Sequence, residues 1–548
     1  MPTSSRYGGL AAALMLTAAL EAAILARSPI IAKDGIGFIR IAHELAVDPT
    51  ATLRLEDQHP GYPAMVLAAS RLVQRVARQN DFHAAIIGAH LASALCGVAS
   101  VLCLWLFVRR LYDDRVANIT ALLAAVWPLL RQNAADGLSD TPHLMFYLAA
   151  AWLASEGIAR GRITLLAAAG AASGLAYWVR PEGLAPGAAA AMVLASGIVT
   201  SFFASRKNIL SRSERRQWLA GLGALLAAMA LVASPYALIA GKVTSKKMPF
   251  RAPPSAHAVA IASVEPTSGL LAEPRPGGTL PDEFDRPAVL AGVFGLGLVE
   301  LGRELAQGLY YFGLIPLAIG ALSPTRPRRQ SGVVWLHVAL VSVHASLLML
   351  LYLVAGYISH RHVIPLVALL LPGVASGMIV VGQRLSARVP RLGAPYRVAA
   401  AWAGIFMLAL LPKCLRPLNA VYAPLVQAAH WVRQHGHPGD AVLATSSYVR
   451  FYAELPGILV GPEAPNLPVG MHFAPPPGPW PFIVLEVDER TFDCGQLAGS
   501  YGPYEQTLEL PAHPRKPWAK VVVFELRRGA PGDRANSSDV ATRPTAKR

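Results

Sequence analysis

The chain has 548 residues, of which 54% are hydrophobic and 15% are charged, and its formal net charge is +16 at pH 7. Soluble proteins carry about 25% charged residues, so this composition excludes a wholly soluble protein and places much of the chain in lipid. The Lys and Arg residues gather in short clusters between apolar segments, which is typical of membrane proteins and argues against nucleic acid binding.

Eleven apolar windows predict eleven transmembrane helices, because roughly 20 apolar residues in a helix cross a hydrocarbon core of about 30 Å. The first window follows Arg6 and is either a signal peptide or an uncleaved helix. We favour the helix, since Glu21 interrupts the run and no small-residue cleavage site follows it. The windows cover residues 8–26, 84–108, 116–131, 142–159, 163–179, 184–203, 218–240, 304–321, 332–357, 363–382 and 398–412.

The basic clusters lie at every second helix end, which predicts a cytoplasmic N-terminus and an extracytoplasmic C-terminus. Acids, histidines and isolated arginines lie at the alternate ends. The clusters assigned to the cytoplasm are Arg109/Arg110/Arg115, Arg160/Arg162, Arg206–Arg216, Arg326–Arg329 and Arg384–Arg397.

Three predicted outer regions are long. Residues 27–82 contain two amphipathic patterns, at 36–45 and 64–76, typical of helices that lie in the membrane interface. Residues 241–303 are rich in Pro and Gly and predict a loop. After a membrane domain of residues 1–412, residues 413–528 predict a small extracytoplasmic α/β domain, with a helix at 423–434 and strands at 441–445, 482–487 and 520–526.

The predicted fold is therefore an α-helical polytopic membrane protein of about 11 spans with a small C-terminal α/β domain. The polar residues 529–548 predict a disordered tail. Cys414 and Cys494 both fall in the C-terminal region and could pair there, although their spacing does not demand a disulfide.

Two acids lie in outer segments beside predicted spans. Asp34 follows the first predicted span, and Asp140 precedes Thr141-Pro142 at the start of the fourth. Each has a structural interpretation, because an acid at a helix start is a common N-cap; in that interpretation Asp34 caps a helix that starts at Gly35. The catalytic interpretation makes each a candidate general base.

Cationic and aromatic groups lie at helix ends on the same predicted extracytoplasmic side of the membrane. Arg180-Pro181-Glu182-Gly183 separates two spans, where Arg180 either complements a helix dipole or belongs to a site. His360, Arg361 and His362 either snorkel or meet phosphate at headgroup level, where Arg gives bidentate contacts. His59 and Tyr62 belong to a His-Pro-Gly-Tyr-Pro turn, and Lys33 precedes the first acid.

The chain contains no GxxxxGK[ST] phosphate loop, no GxGxxG after a strand and no HExxH zinc motif. Soluble nucleotide chemistry is therefore unsupported, and an activated donor would have to come from the membrane. His337 and His344, seven residues apart in one span, favour buried hydrogen-bonded side chains over a proton relay.

The order of these motifs resembles that of the glycosyltransferase C superfamily, in particular bacterial relatives of dolichyl-phosphate-mannose protein mannosyltransferases and lipid A aminoarabinose transferases. The resemblance covers about residues 8–450. It implies that Asp34 and Asp140 are the catalytic acids of the first two outer loops and that Arg361 is the late arginine. The relatives often have Tyr after that arginine, whereas this chain has His362.

The sequence therefore predicts a membrane glycosyltransferase. It takes a sugar from a polyprenyl-phosphate donor and transfers it to an extracytoplasmic lipid, protein or glycan. The expected catalytic residues are Asp34 and Asp140, and the lone first-loop acid leaves a divalent metal requirement open. The alternatives are a secondary transporter or lipid flippase and a structural or sensory membrane protein. The expected substrate-binding residues are Lys33, His59, Tyr62, Arg180, Glu182, His360, Arg361 and His362.

Overall fold

A computed structural model of the chain describes residues 4–203, 212–244, 287–322, 331–389, 391, 394–437, 440–459, 480–488, 504–513 and 516–526. The chain divides into two compact units, Met1–Leu418 and Asn419–Arg548. The predicted tail at 529–548 and Cys494 lie outside the described residues.

The first unit is helical throughout its described part. A short 3-10 helix, Pro181–Leu184, joins α9 to α10. The helices are α1 Ser4–Arg27, α2 Lys33–Val47, α3 Pro49–Leu55, α4 Gly61–Ala77, α5 Asp81–Leu111, α6 Asp114–Val126, α7 Pro128–Ala135, α8 Asp140–Arg160, α9 Ile163–Val179, α10 Ala185–Phe203, α11 Arg212–Ala240, α12 Pro287–Gly308, α13 Leu314–Leu322, α14 Ser331–Ala355, α15 Ile364–Arg388 and α16 Pro395–Cys414.

Seven helical segments among the described residues are long and apolar enough to cross a membrane, and α9 is a shorter apolar helix. All eleven predicted windows fall on helical chain. Two of them contain a break, because window 116–131 spans the turn at Trp127-Pro128 and window 304–321 spans residues 309–313. The chain is thus a multi-pass membrane protein. The seven segments are Tyr7–Arg27, Asp81–Leu111, Pro181–Ser201, Ser213–Ala240, Gly332–Ala355, Ile364–Arg388 and Pro395–Cys414.

The loop predicted at 241–303 is wrong over its last part, because α12 begins at Pro287. Residues 287–300 combine Val, Leu and Phe with only a few glycines, and this apolar content supports a helix. Residues 245–286 lie outside the described part.

The segment between α1 and α5 contains three helices. The predicted amphipathic patterns form α2 and α4, and α3 lies between them. Arg40 on α2 binds Glu56 with two hydrogen bonds, at 2.9 and 2.7 Å, and Glu44 with one. Hydrogen bonds from Arg40 lower the pKa of Glu56. These contacts tie the start of the segment to the end of α3.

An ion pair is buried in the helix bundle away from the acids singled out above. The Arg131 guanidinium on α7 donates to Glu21 on α1, and both side chains are almost fully buried. Nε and Nη2 of Arg131 and Oε2 of Glu21 have no hydrogen-bond partner in the described structure. Cys414 is buried and has no disulfide partner among the described residues.

The second unit contains a small sheet. Among the described residues its strand order is β2-β1-β3-β5-β4, with β1 parallel to β2 and β3, and β5 antiparallel to β3 and β4. The predicted helix and three predicted strands all form, whereas α18, β2 and β4 were not predicted. The elements are α17 Ala423–His435, β1 Val442–Ala444, α18 Ser447–Ala453, β2 Gly457–Leu459, β3 Phe482–Asp488, β4 Tyr504–His513 and β5 Lys516–Leu526.

Candidate active site

One guanidinium joins the two acids that the sequence singled out. Nη1 of Arg361 donates to Oδ2 of Asp34 at 2.9 Å, and Nη2 and Nε donate to Oδ2 of Asp140 at 2.9 and 3.2 Å. Arg361 is 327 positions from Asp34 and 221 positions from Asp140 in the chain. The fold therefore brings together three residues that each lie at a helix end or in a short connection.

Asp34 is held at this position by the start of α2. The helix begins at Lys33 with Ala32 as its N-cap and no capping side chain, so the interpretation of Asp34 as the cap of a helix starting at Gly35 is wrong. Gly35 allows the helix to approach the α7–α8 turn, because a Cβ there would lie 2.6 Å from Ile31 and 3.2 Å from the Gly137 carbonyl. Gly137 adopts a φ of +66°, which favours glycine.

Asp140 begins α8, and it is not the cap either, because Ser139 occupies that position without a side-chain hydrogen bond. Its second oxygen, Oδ1, accepts from Arg180 Nη1 at 2.5 Å. Burial alone would raise the pKa of Asp140, but the Arg180 and Arg361 guanidiniums outweigh it and lower that pKa. The Asp140 carboxylate is thus held between two guanidiniums.

Arg180 ends α9 and faces two carboxylates. Besides Asp140, it binds Oε1 of Glu182 through Nε at 2.7 Å. The turn that carries both residues folds tightly onto α9, since a Cβ at Gly183 would lie 2.1 Å from the carbonyl carbon of Ala176. Arg180 thus lies at the C-terminal end of α9, where a cation complements the helix dipole, and it also binds two carboxylates.

Asp140, Arg180, Glu182 and Arg361 line a small pocket of about 10 Å³ that is partly open to solvent, and Asp34 is not part of its lining. Two of its histidines, His143 and His344, were not among the expected site residues. His143 was detectable in principle, because the i,i+3 spacing from Asp140 places it on the same helix face. The lining residues are Asp140, His143, Arg180, Glu182, His344, Arg361, His362, Ile364 and Pro365.

The segment between α14 and α15 carries Arg361 and the two histidines next to it. His362 lines the pocket, and its Nδ1 accepts from the Ser359 backbone N–H at 3.2 Å. His360 is exposed, as is Lys33 beside Asp34. Arg361 turns inward to carboxylates rather than towards lipid headgroups, so the snorkelling interpretation does not describe it.

His59 and Tyr62 are buried and are absent from the lining of this pocket. Nδ1 of His59 hydrogen-bonds the Tyr177 carbonyl at 2.7 Å, and the Tyr62 hydroxyl donates to the Ala89 carbonyl at 2.9 Å. The His-Pro-Gly-Tyr-Pro turn thus packs against the last turn of α9, three residues before Arg180. Its contact with the site is therefore indirect, through α9.

Residues 62–233 match the family described as dolichyl-phosphate-mannose-protein mannosyltransferase. A comparison with curated proteins gives no match. The chain is similar to the apo structure of ArnT from Cupriavidus metallidurans, at 14% identity and a TM-score of 0.55, over 94% of this chain and 97% of that one. The predicted resemblance to the glycosyltransferase C superfamily is confirmed.

Two further structures carry bound lipid phosphates. ArnT bound to undecaprenyl phosphate is 13% identical with a TM-score of 0.53, over 96% of this chain and 99% of that one. The oligosaccharyltransferase AglB from Archaeoglobus fulgidus, in complex with an inhibitory peptide and a dolichol-phosphate, is 13% identical. Its TM-score is 0.51, over 89% of this chain and 70% of that one. At these identities the likeness is one of fold.

Proposed function

We propose that the chain is an integral membrane glycosyltransferase that moves a sugar from a polyprenyl-phosphate donor to an extracytoplasmic acceptor. The observation that carries the proposal is the Arg361 guanidinium, which joins Asp34 to Asp140 beside a polar pocket. A cation for the phosphate and a carboxylate for the acceptor proton are the two groups that this transfer needs. The family match and the lipid phosphates bound to the two similar proteins support the donor class.

In the proposed reaction, Asp34 is the base. Its carboxylate is 54% exposed, so an acceptor can reach it, whereas Asp140 is 3% exposed. The acceptor oxygen gives its proton to Asp34 and forms a bond to the anomeric carbon. The bond from that carbon to the phosphate oxygen breaks, and polyprenyl phosphate leaves with the electron pair. In-line attack inverts the anomeric configuration.

We assign Arg361 to the leaving phosphate. Its side chain is 31% exposed, and a guanidinium binds phosphate oxygens in bidentate fashion. Asp140 and Arg180 form the buried frame that holds it in place, so we assign to Asp140 a positioning role within the catalytic pair. We assign Lys33, His360 and His362 to secondary phosphate contacts, and Glu182 restrains Arg180.

The carboxylates do not form a ready metal site. Both acids accept hydrogen bonds from Arg361, and the described residues contain no group of three His, Cys, Asp or Glu side chains that could hold a metal ion. We therefore assign no step to a divalent cation. Measuring transfer in the presence of a chelator tests whether the reaction needs a divalent cation.

We propose that the protein crosses the plasma (inner) membrane eleven times and that the site faces the extracytoplasmic side. Asp34 follows α1, Asp140 begins α8, Arg180 follows α9 and Arg361 precedes α15, all at helix ends that alternate with the basic clusters. Residues 413–528 then form an extracytoplasmic domain. This clustering at one face disfavours a transporter, whose substrate groups lie near the midplane on broken helices.

The test is a reconstituted assay. Purified protein in liposomes receives a panel of undecaprenyl-phosphate hexoses and pentoses with lipid, peptide and glycan acceptors, and released undecaprenyl phosphate is measured with and without EDTA. We expect acceptor-dependent release from one donor, loss of release in Arg361→Ala, and normal release in the control Arg71→Ala, an exposed arginine on α4. Absence of release from every donor, or full release by Arg361→Ala, would refute the proposal.

A further inference from the structure

Two buried histidines in the pocket each leave one ring nitrogen without a partner. His143 is 3% exposed and His344 is 1% exposed, and both line the pocket beside Arg361. Nε2 of His143 and Nδ1 of His344 have no hydrogen-bond partner in the described structure. Buried polar groups in proteins are nearly always paired, and because these two side chains line the pocket, a molecule bound there can supply the missing partners.

The tautomer of His344 indicates the chemistry of that ligand. Nε2 of His344 lies 3.3 Å from the His362 carbonyl oxygen, and a carbonyl can only accept. Nε2 therefore carries the proton, and in the neutral ring Nδ1 is an acceptor. An acceptor cannot bind an ionised phosphate oxygen, which also only accepts. It can bind a hydroxyl group, which donates.

The two carboxylates that line the pocket are already bound by guanidiniums. Both oxygens of Asp140 are bound by guanidiniums, and Glu182 accepts from Arg180. The Tyr147 ring on α8 packs against both histidines, with centroid distances of 5.8 Å to His143 and 5.6 Å to His344. The unpartnered nitrogens of the two imidazoles can therefore bind a polar group in the pocket.

We propose that His143 and His344 bind hydroxyl groups of the transferred sugar and select the donor by them. The inference rests on the proposed function, since the sugar is bonded to the phosphate assigned to Arg361 and must lie next to it. His344 accepts a hydrogen bond from one hydroxyl through Nδ1, and Nε2 of His143 bonds a second. A sugar that lacks either hydroxyl leaves a buried nitrogen unpaired.

The experiment compares the lipid phosphate with its sugar-bearing forms on detergent-solubilised protein. The dissociation constants of undecaprenyl phosphate and of each undecaprenyl-phosphate sugar in the panel are measured for wild type, His143→Phe and His344→Phe. Phenylalanine keeps an aromatic ring and removes both nitrogens. We expect wild type to bind one sugar lipid more tightly than undecaprenyl phosphate, and each variant to lose about 10- to 100-fold of that advantage. Affinity for undecaprenyl phosphate itself should not change.

His337→Phe is the matched control. His337 lies on the same helix as His344, has an unpartnered Nδ1 and packs beside Phe107, but it does not line the pocket. It should retain the full sugar-dependent advantage. Equal behaviour of His337→Phe and His344→Phe would show a packing role only and overturn the proposal. So would an equal loss of affinity for both lipids, which would place the imidazoles on the phosphate.

Two outcomes separate this inference from the proposed function. If wild type binds a sugar lipid with the expected advantage but releases no undecaprenyl phosphate, the transfer proposal fails and the sugar subsite stands. If wild type shows no sugar-dependent advantage for any lipid, the subsite proposal fails even where transfer occurs. Should His344→Phe not fold, monodeoxy analogues of the preferred sugar are bound to wild type instead. Equal affinities for all analogues would then refute the proposal.

Discussion

Asp34→Asn and Asp140→Asn are the same chemical change at two ends of one guanidinium, and they should have opposite consequences. Asp34 is 54% exposed, and it pairs with the partly exposed Arg361. Asp140 is 3% exposed and binds Arg361 and Arg180. The first substitution tests catalysis, and the second tests the frame that positions it.

The expected magnitudes follow from burial. An exposed ion pair contributes about 0–1 kcal/mol to stability, so Asp34→Asn should leave the fold nearly unchanged. The α2 cap is Ala32, so no cap is lost either. The amide cannot take the acceptor proton, and transfer should fall by about 10²- to 10⁴-fold. Removing one partner of a buried pair costs about 3–5 kcal/mol, so Asp140→Asn should markedly destabilise the protein.

Undecaprenyl phosphate release in liposomes and thermal unfolding in detergent measure the two effects on the same preparations. Stability of Asp34→Asn should match wild type within about 1 kcal/mol while its release rate collapses. Near-normal release by Asp34→Asn would remove it as the base. An unfolding temperature of Asp140→Asn equal to that of wild type would refute the buried frame.

Four other measurements follow. Arg361→Ala should cost about 2–4 kcal/mol of transition-state stabilisation, or 30- to 1,000-fold in release rate, and Arg361→Lys should rescue only part because an ammonium cannot make bidentate contacts; wild-type turnover in the alanine variant would exclude the residue. The guanidiniums lower the pKa of Asp140, so its stabilising contribution is complete above the usual carboxyl value of about 3.9 and is lost as pH falls below it. The stability difference between wild type and Asp140→Asn should therefore stay constant from about pH 8 to pH 5, and a difference that shrinks in that window contradicts the sign. Arg131→Leu should lower the free energy of unfolding by about 3–5 kcal/mol, because Glu21 is left buried without its partner. The double variant Glu21→Leu/Arg131→Leu should recover most of that stability, and a double variant as unstable as Arg131→Leu would contradict the coupling of the pair. A reporter active only outside the cytoplasm, fused near Arg528, should be active, and activity of a cytoplasmic reporter there would mean an odd number of errors in the span count.

Local pattern was enough to locate most of the helices and the polar residues at their ends. Apolar runs specify helices because a segment in lipid must satisfy its own backbone hydrogen bonds, which a helix does within the segment. Window 84–108 therefore falls inside α5, and window 363–382 falls inside α15 except for its first residue. In the second unit, alternating and apolar runs predicted β1, β3 and β5. The exposed strand β4 has no comparable apolar run and was missed.

The pairing of the polar residues was decided by tertiary structure alone. From the sequence, Asp34 was equally well a helix cap, and only the approach of Arg361 across 327 positions shows what its carboxylate binds. His344 had the same description as His337, yet packing places one in the pocket and the other beside Phe107. Helical periodicity gives the face of a residue within its own helix. Which faces meet depends on how all the helices pack together, and no short stretch of sequence contains that information.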